Sequence, residues 1–247
     1  MTLQAIDLRD PTLSGSLRER LCWLYYDEIY RAAFPIADEA EDPTIWLPLM
    51  SKTLPRPSPI VHMLLAICDG RLPQDIDAVS LLGGIIFEYF RDSKAALATY
   101  LCIRPEIRGH GIGKFLVTHA LAILSKDAGG APVPLFAEAE NPEEQGDENL
   151  RATAGRRLPI LSRLGFRKLP IRYRQPALGS GKRPLDNLQF LVFSGGRPTT
   201  VKLSVLRAFM REFYEGLDAG QPDEVRMFGA LVGEDVPTLE LVEHERL

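Results

Sequence analysis

Arg108, Gly109, His110, Gly111, Ile112 and Gly113 form the stretch of this sequence best suited to chemistry. An apolar run, residues 97–103, leads into it, and an amphipathic run, residues 112–124, leads away. A strand, an arginine-bearing glycine turn and a helix in that order can hold a pyrophosphate. Glycine lets the backbone approach a ligand closely. The unpaired N–H groups of a helix start then point at the anion, helped by the helix dipole. Arg108 can add a charge-assisted hydrogen bond. The spacing narrows the ligand. Glycines at 109, 111 and 113 do not make the G-x-G-x-x-G of a dinucleotide fold, and no G-x-x-x-x-G-K-[ST] occurs.

The pattern present is R-x-x-G-x-G, led in by Ile103-Arg104-Pro105-Glu106-Ile107. It resembles the coenzyme-A-binding motif of the GNAT superfamily of N-acetyltransferases. About fifty residues on, Leu164-Gly165-Phe166-Arg167 resembles the Leu-Gly-Phe that closes the fourth helix of that family. By motif the resemblance covers residues 60–170. It implies an α/β fold of the α+β type, acyl-CoA N-acyltransferase-like, with a mixed, mostly antiparallel central sheet flanked by helices and a C-terminal helical extension. It implies acetyl-CoA as co-substrate and transfer of its acetyl group to a primary amine, on a small molecule or a lysine-like side chain. Transfer would be by direct attack in a ternary complex, without metal. The backbone of Leu101, Cys102 and Ile103 would pair with the pantetheine arm as a strand would. Arg108, Gly109, His110, Gly111, Ile112, Gly113 and Lys114 would hold the pyrophosphate.

The resemblance has two gaps, and both concern proton transfer. Many members place a tyrosine four residues before the Leu-Gly-Phe glycine, where this chain has Leu161. Some place a glutamate in the strand before the glycine turn, where residues 95–100 hold no acid. An amine with a pKa near 10.4 must lose a proton before it attacks. Glu88, in the apolar run Ile85 to Phe90, is the first substitute, because a carboxylate there is costly unless it is paired or faces a cavity. Glu138 and Glu140, two residues apart on a strand, are the next candidates for the base or for holding the ammonium. Tyr100 and Tyr173 are lesser proton donors. The acids of segment 38–42 suit a cationic acceptor or a solvated loop equally. His62 and His119 read as core histidines on apolar faces, His110 as solvent-facing, and His244 lies in the tail. A non-catalytic acyl-CoA sensor on the same fold is the alternative reading, favoured by the missing tyrosine and glutamate.

The elements that must position these groups follow from periodicity. Strands are expected at 3–8, 59–68, 81–90, 95–103, 134–139, 166–174 and 187–194. Helices are expected from about 14–31, 43–52, 111–127, 148–163 and 200–217. Residues 1–194 read as the acetyl-CoA-binding domain and 195–247 as a helical extension packed on it. Charge is −4 overall, from 29 basic and 33 acidic residues, which argues against nucleic acid. The ten bases and no acids of 151–183 read as a solvated face or a phosphate-facing run. Cys22, Cys68 and Cys102 sit in apolar segments and read as buried thiols of a reducing compartment. With neither a signal peptide nor a membrane span in the sequence, a cytoplasmic location is expected, with a homodimer possible.

Overall fold

The computed structural model describes residues 2–36, 40–51, 59–68, 70–195, 200–229 and 238–241. These fall into two compact units, Met1–Tyr89 with Ala96–Val133, and Phe90–Ala95 with Pro134–Leu247. Each is a mostly antiparallel sheet with helices, as the fold class requires.

The first unit opens with β1 (Leu3–Asp7) and α1 (Gly15–Tyr25). The Ser14 hydroxyl accepts from the Leu17 N–H and starts α1. The helix does not run on to residue 31 as expected. It widens into a π turn over Tyr26–Tyr30 and ends in the single turn α2 (Arg31–Ala33). The extra residue in that turn rotates Tyr30 inward, where it is fully buried against Tyr100 and Trp46, ring centroids 4.9 Å away in each case. Asp42 then caps α3 (Pro43–Met50), whose Pro43 occupies the first turn.

Strand β2 (Ile60–Cys68) is the continuous apolar run, buried along nearly all its length. It pairs antiparallel with β1 from Leu3↔Cys68 to Asp7↔Leu64, and with β3 (Leu81–Phe90) from Ile60↔Tyr89 to Ile67↔Leu81. The order is β1-β2-β3-β4, with β4 (Ala95–Ile103) following β3 through a hairpin. Helix α4 (Ile112–Asp127) completes the unit and stops where Gly129 and Gly130 take positive φ. Of the three thiols, Cys22 and Cys102 are buried and Cys68 is half-buried. Burial pushes the Cys22 thiol up to about 12, so it packs as an inert apolar group.

The second unit holds β5 (Leu135–Glu140), α5 (Glu148–Leu164), β6 (Phe166–Lys168) and β7 (Leu188–Phe193), with strand order β5-β7-β6. Gly165 ends α5 at φ 106°, and a Cβ there would meet the Phe193 ring at 2.9 Å. Both the left-handed turn and the close packing demand glycine at this place in the Leu-Gly-Phe motif. The strand expected over 166–174 stops at Lys168. Leu169 still donates to the Phe190 carbonyl, at 2.9 Å, but Pro170 has no N–H to continue the ladder.

The helix expected from residue 200 begins three residues later. Strand β8 (Thr200–Lys202) precedes α6 (Leu203–Gly216). The stripe Leu203, Leu206, Phe209 and Phe213 is buried, joined by Met210 and Tyr214. Phe209 packs on Phe90, Phe136 and Phe190, so this part of the C-terminal segment closes the core of the second unit. After α6 the described residues contain α7 (Glu224–Phe228) and β9 (Thr238–Glu240), the latter paired with β8.

Candidate functional site

The glycine turn is held from both sides. Where β4 ends, Arg104 donates its backbone N–H to the Leu82 carbonyl (3.1 Å), Nε to the Leu81 carbonyl (2.7 Å) and Nη2 to the Ala78 carbonyl (2.6 Å). The same Nη2 also reaches the Glu28 carboxylate at 3.3 Å. Gly83 lets β3 lie flat against this exit, since a Cβ on it would sit 2.6 Å from the Cys102 oxygen. A single 3-10 turn, Pro105–Ile107, then carries the chain to Arg108. Arg108 donates Nε to the Ile103 carbonyl at 3.2 Å while remaining exposed.

Gly109 and Gly111 have φ of 84° and 82°. A Cβ added at either meets nothing within 4 Å, so glycine is needed for the backbone conformation and the space beside the turn is open. Gly111 is the N-cap of the sixteen-residue α4, and no side chain closes that end. The first-turn N–H groups of Ile112, Gly113 and Lys114 lack intrahelical acceptors by geometry. Lys114 and His110 are exposed beside them, and His110 Nδ1 lies 3.1 Å from the Ile107 carbonyl. Open space, unpaired first-turn amides, a positive dipole end and the exposed cations Arg108 and Lys114 suit a phosphorylated ligand. On the strand before the turn, Cys102 is buried and Leu101 and Ile103 are half-buried. The buried Oγ1 of Thr99 has no hydrogen-bond partner. Thr99, Leu101 and Ile103 share one face of β4. The sequence reading missed Thr99, because nothing in an apolar strand marks a hydroxyl as unsatisfied.

The acids are placed differently from one another. Glu88 is half-buried on β3 opposite Val61 of β2. It stands five residues from Gly83, about 16 Å along the strand, and so belongs to the end of β3 away from the glycine turn. Glu138 and Glu140 share a half-buried face of β5 in the second unit. Arg157 on α5 forms an ion pair with Glu140. Glu138 accepts from the Tyr173 hydroxyl, and its Oε2 accepts from Gln175 Nε2 at 2.9 Å. Tyr173 was read as a proton donor, and Gln175 was not singled out. The contacts join residues 35 and 37 positions apart, so no local pattern could show them.

Tyr100 is buried in the aromatic core of the first unit, stacked edge-on to Tyr30 and Phe34. In the acidic segment 38–42, residues 38 and 39 lie outside the described residues. Of the rest, the Glu41 carboxylate accepts from Trp46 Nε1 at 2.9 Å, and Asp42 caps α3. His119 corrects the expectation of a core histidine. It is exposed and lies against Phe115, with Nδ1 2.8 Å from the Phe115 carbonyl. His62 is buried between two carboxylates, Asp7 at 2.7 Å and Asp127 at 2.9 Å, and its ring lies parallel to Phe87. Leu161, in the place of the family's tyrosine, is half-buried on α5.

The model of the acetyltransferase (GNAT) family matches residues 23–145, a span that contains β4, the glycine turn and α4. Over that span this chain belongs to the GNAT acetyltransferase family. The family is one of acyltransferases, and Arg108 to Gly113 lie within the matched span. No curated protein matches the sequence. Among solved structures, a GNAT-family protein from Bacteroides thetaiotaomicron is 19% identical, with a TM-score of 0.49, covering 78% of this chain and 86% of that one. The ribosomal-protein-S18-alanine N-acetyltransferase of Escherichia coli is 13% identical, with a TM-score of 0.45, covering 78% and 93%. Among the described residues no helix is long and apolar enough to cross a membrane, and no cluster of His, Cys, Asp and Glu could hold a metal ion.

Proposed function

We propose that this chain is an acetyl-CoA-dependent N-acetyltransferase acting on a primary amine of a small molecule or of a lysine-like side chain. The observation that carries the reading is the uncapped start of α4 behind two left-handed glycines, within the span that matches the GNAT model. Arg108 to Lys114 bind the pyrophosphate, and the backbone of Leu101 to Ile103 holds the pantetheine arm. Acetyl-CoA, when bound, supplies an acetyl group activated as a thioester. The rest of the work falls to the chain. One carboxylate takes a proton from the acceptor's ammonium, so that the neutral nitrogen forms the new C–N bond as the C–S bond breaks. Glu88 and Glu138 are the candidates for that carboxylate. With Leu161 in place of the usual tyrosine, the proton for the departing thiolate comes from solvent or from a side chain other than residue 161.

The test is calorimetric titration of acetyl-CoA into the wild type and into a Gly111→Trp, Gly113→Trp double variant. Two indoles at the open helix end block the anion cradle. Micromolar binding that the double variant loses is the expected result. A wild type that does not bind acetyl-CoA overturns the reading. Binding without turnover on any primary amine leaves the sensor alternative in its place.

A further inference from the structure

His62 on β2 joins three elements of the first unit. Its Nδ1 lies 2.7 Å from Asp7 Oδ2 on β1, and its Nε2 lies 2.9 Å from Asp127 Oδ2 at the end of α4. The imidazole is 5% exposed, and the two carboxylates are 20% and 23% exposed. A carboxylate only accepts, so both contacts are hydrogen bonds only when both ring nitrogens donate. The imidazolium has two N–H groups. The neutral ring has one and turns a lone pair toward one of the carboxylates. The three-part contact is therefore complete in one protonation state alone.

The two carboxylates are not equivalent, and the difference decides which contact fails. Asp7 is held without help from the ring. Its Oδ1 accepts from the Arg9 backbone N–H at 2.9 Å, and its backbone stands in the β1–β2 ladder opposite Leu64. Asp127 is the last residue of α4, three positions beyond the buried Leu124 and seven beyond the buried Ala120, which puts it on the stripe that faces the sheet. A carboxylate is unfavourable at that end of a helix, where the dipole is negative, and a cation is favourable. Its side-chain hydrogen bond is to His62. A ring with one proton thus keeps Nδ1–H on Asp7 and gives up Asp127, which has water within reach.

The surroundings of the ring supply no competing charge on its own face among the described residues. From β3 it meets the parallel ring of Phe87 at 5.0 Å, while Glu88 stands opposite Val61 and so on the other face. Helix α3 carries no titratable side chain. The Arg9 guanidinium is engaged with the Leu49 and Val61 carbonyls, and Lys126 on α4 is exposed. Desolvation opposes the imidazolium, but the hydrogen bonds and charges of Asp127 and Asp7 outweigh it, and the His62 pKa is raised from 6.5.

We propose that His62 is a proton-operated latch on the C-terminal end of α4: the imidazolium holds Asp127 and seats the last turn, and the neutral ring stays on Asp7 and releases it. The latch is closed at low pH and opens as pH rises through the raised His62 value. The bonds it guards are those that end the helix, from the N–H groups of Ala128, Gly129 and Gly130 to the carbonyls of Leu124, Lys126 and Ser125, at 3.0, 3.1 and 2.7 Å. The opposite end of the same helix is the glycine turn, yet the latch does not depend on the acetyltransferase reading.

The experiment is a pH titration of the whole chain by NMR, with 15N in the histidine rings and the backbone, and with the His62 signals assigned from their absence in His62→Leu. The expected result is a His62 ring that on losing its proton keeps the hydrogen on Nδ1. Across the same midpoint, hydrogen-exchange protection at Ala128, Gly129 and Gly130, taken relative to the middle of α4, falls by about fivefold, the size of one charge contact at a helix end. In Asp127→Asn the new amide donates to the bare Nε2, so the last turn keeps its protection throughout and the His62 midpoint drops below that of the wild type. A neutral His62 with its hydrogen on Nε2, last-turn protection that does not change across the His62 midpoint, or the same loss of protection in Asp127→Asn overturns the proposal.

Discussion

His62 and Glu138 are both ionisable groups set into a sheet and hydrogen-bonded to side chains from distant parts of the chain, yet their surroundings differ. His62 meets two partners of opposite charge, Asp7 on β1 and Asp127 at the end of α4, so its network closes on itself. Glu138 accepts from Tyr173 and from Gln175, whose own Oε1 has no hydrogen-bond partner. A closed network of opposite charges stabilises the fold by joining three elements. Both residues are polar groups within largely apolar strands, and they differ in exposure: His62 is buried and Glu138 half-buried.

The largest effect expected is on Glu138. Glu138→Gln keeps the size and the hydrogen-bonding capacity of the side chain but removes the charge. Turnover on a primary amine should fall by about 100-fold or more, while the thermal midpoint stays close to that of the wild type. Equal losses of rate and stability would dissolve the contrast.

The converse is expected of His62→Leu. It leaves two carboxylates facing an apolar side chain, at a cost of about 2–3 kcal/mol, below the full figure for a buried pair because both aspartates remain partly exposed. Urea unfolding gives that number, and the rate per folded molecule should be unchanged.

A smaller effect sharpens the same point through pH. Desolvation, the largest single influence, lowers the His62 pKa. The hydrogen bonds to Asp127 and Asp7, with the charges of those carboxylates, together outweigh it, so the net shift is upward from 6.5. A raised folded-state pKa means the stabilisation is complete below 6.5 and is lost as pH rises through the higher folded value. Urea midpoints should therefore decline from pH 6.5 upward in the wild type, more steeply than in His62→Leu. A wild-type profile parallel to that of the variant would show that the closed network contributes no such term.

The sequence by itself determined the parts that depend on short-range rules. The Arg108–Gly113 turn was legible because a strand, positive-φ glycines and an amphipathic helix each follow from neighbouring residues. The Leu-Gly-Phe turn was legible because Gly165 must be left-handed, and the α6 stripe because Leu203, Leu206, Phe209 and Phe213 recur at helical spacing. Tertiary structure decided what depends on contacts between distant residues. It put a π turn at Tyr26–Tyr30 so that Tyr30 could reach the core, and it ended β6 before Pro170. His119 was turned outward, and His62 was enclosed between residues 55 and 65 positions away. Tyr173 and Gln175 were likewise brought onto Glu138. Periodicity tells which face a side chain takes on its own element. The charge or hydrogen bond waiting on that face belongs to another part of the chain, and it is this partner that sets whether a glutamate in a strand is paired, strained or ready for a ligand.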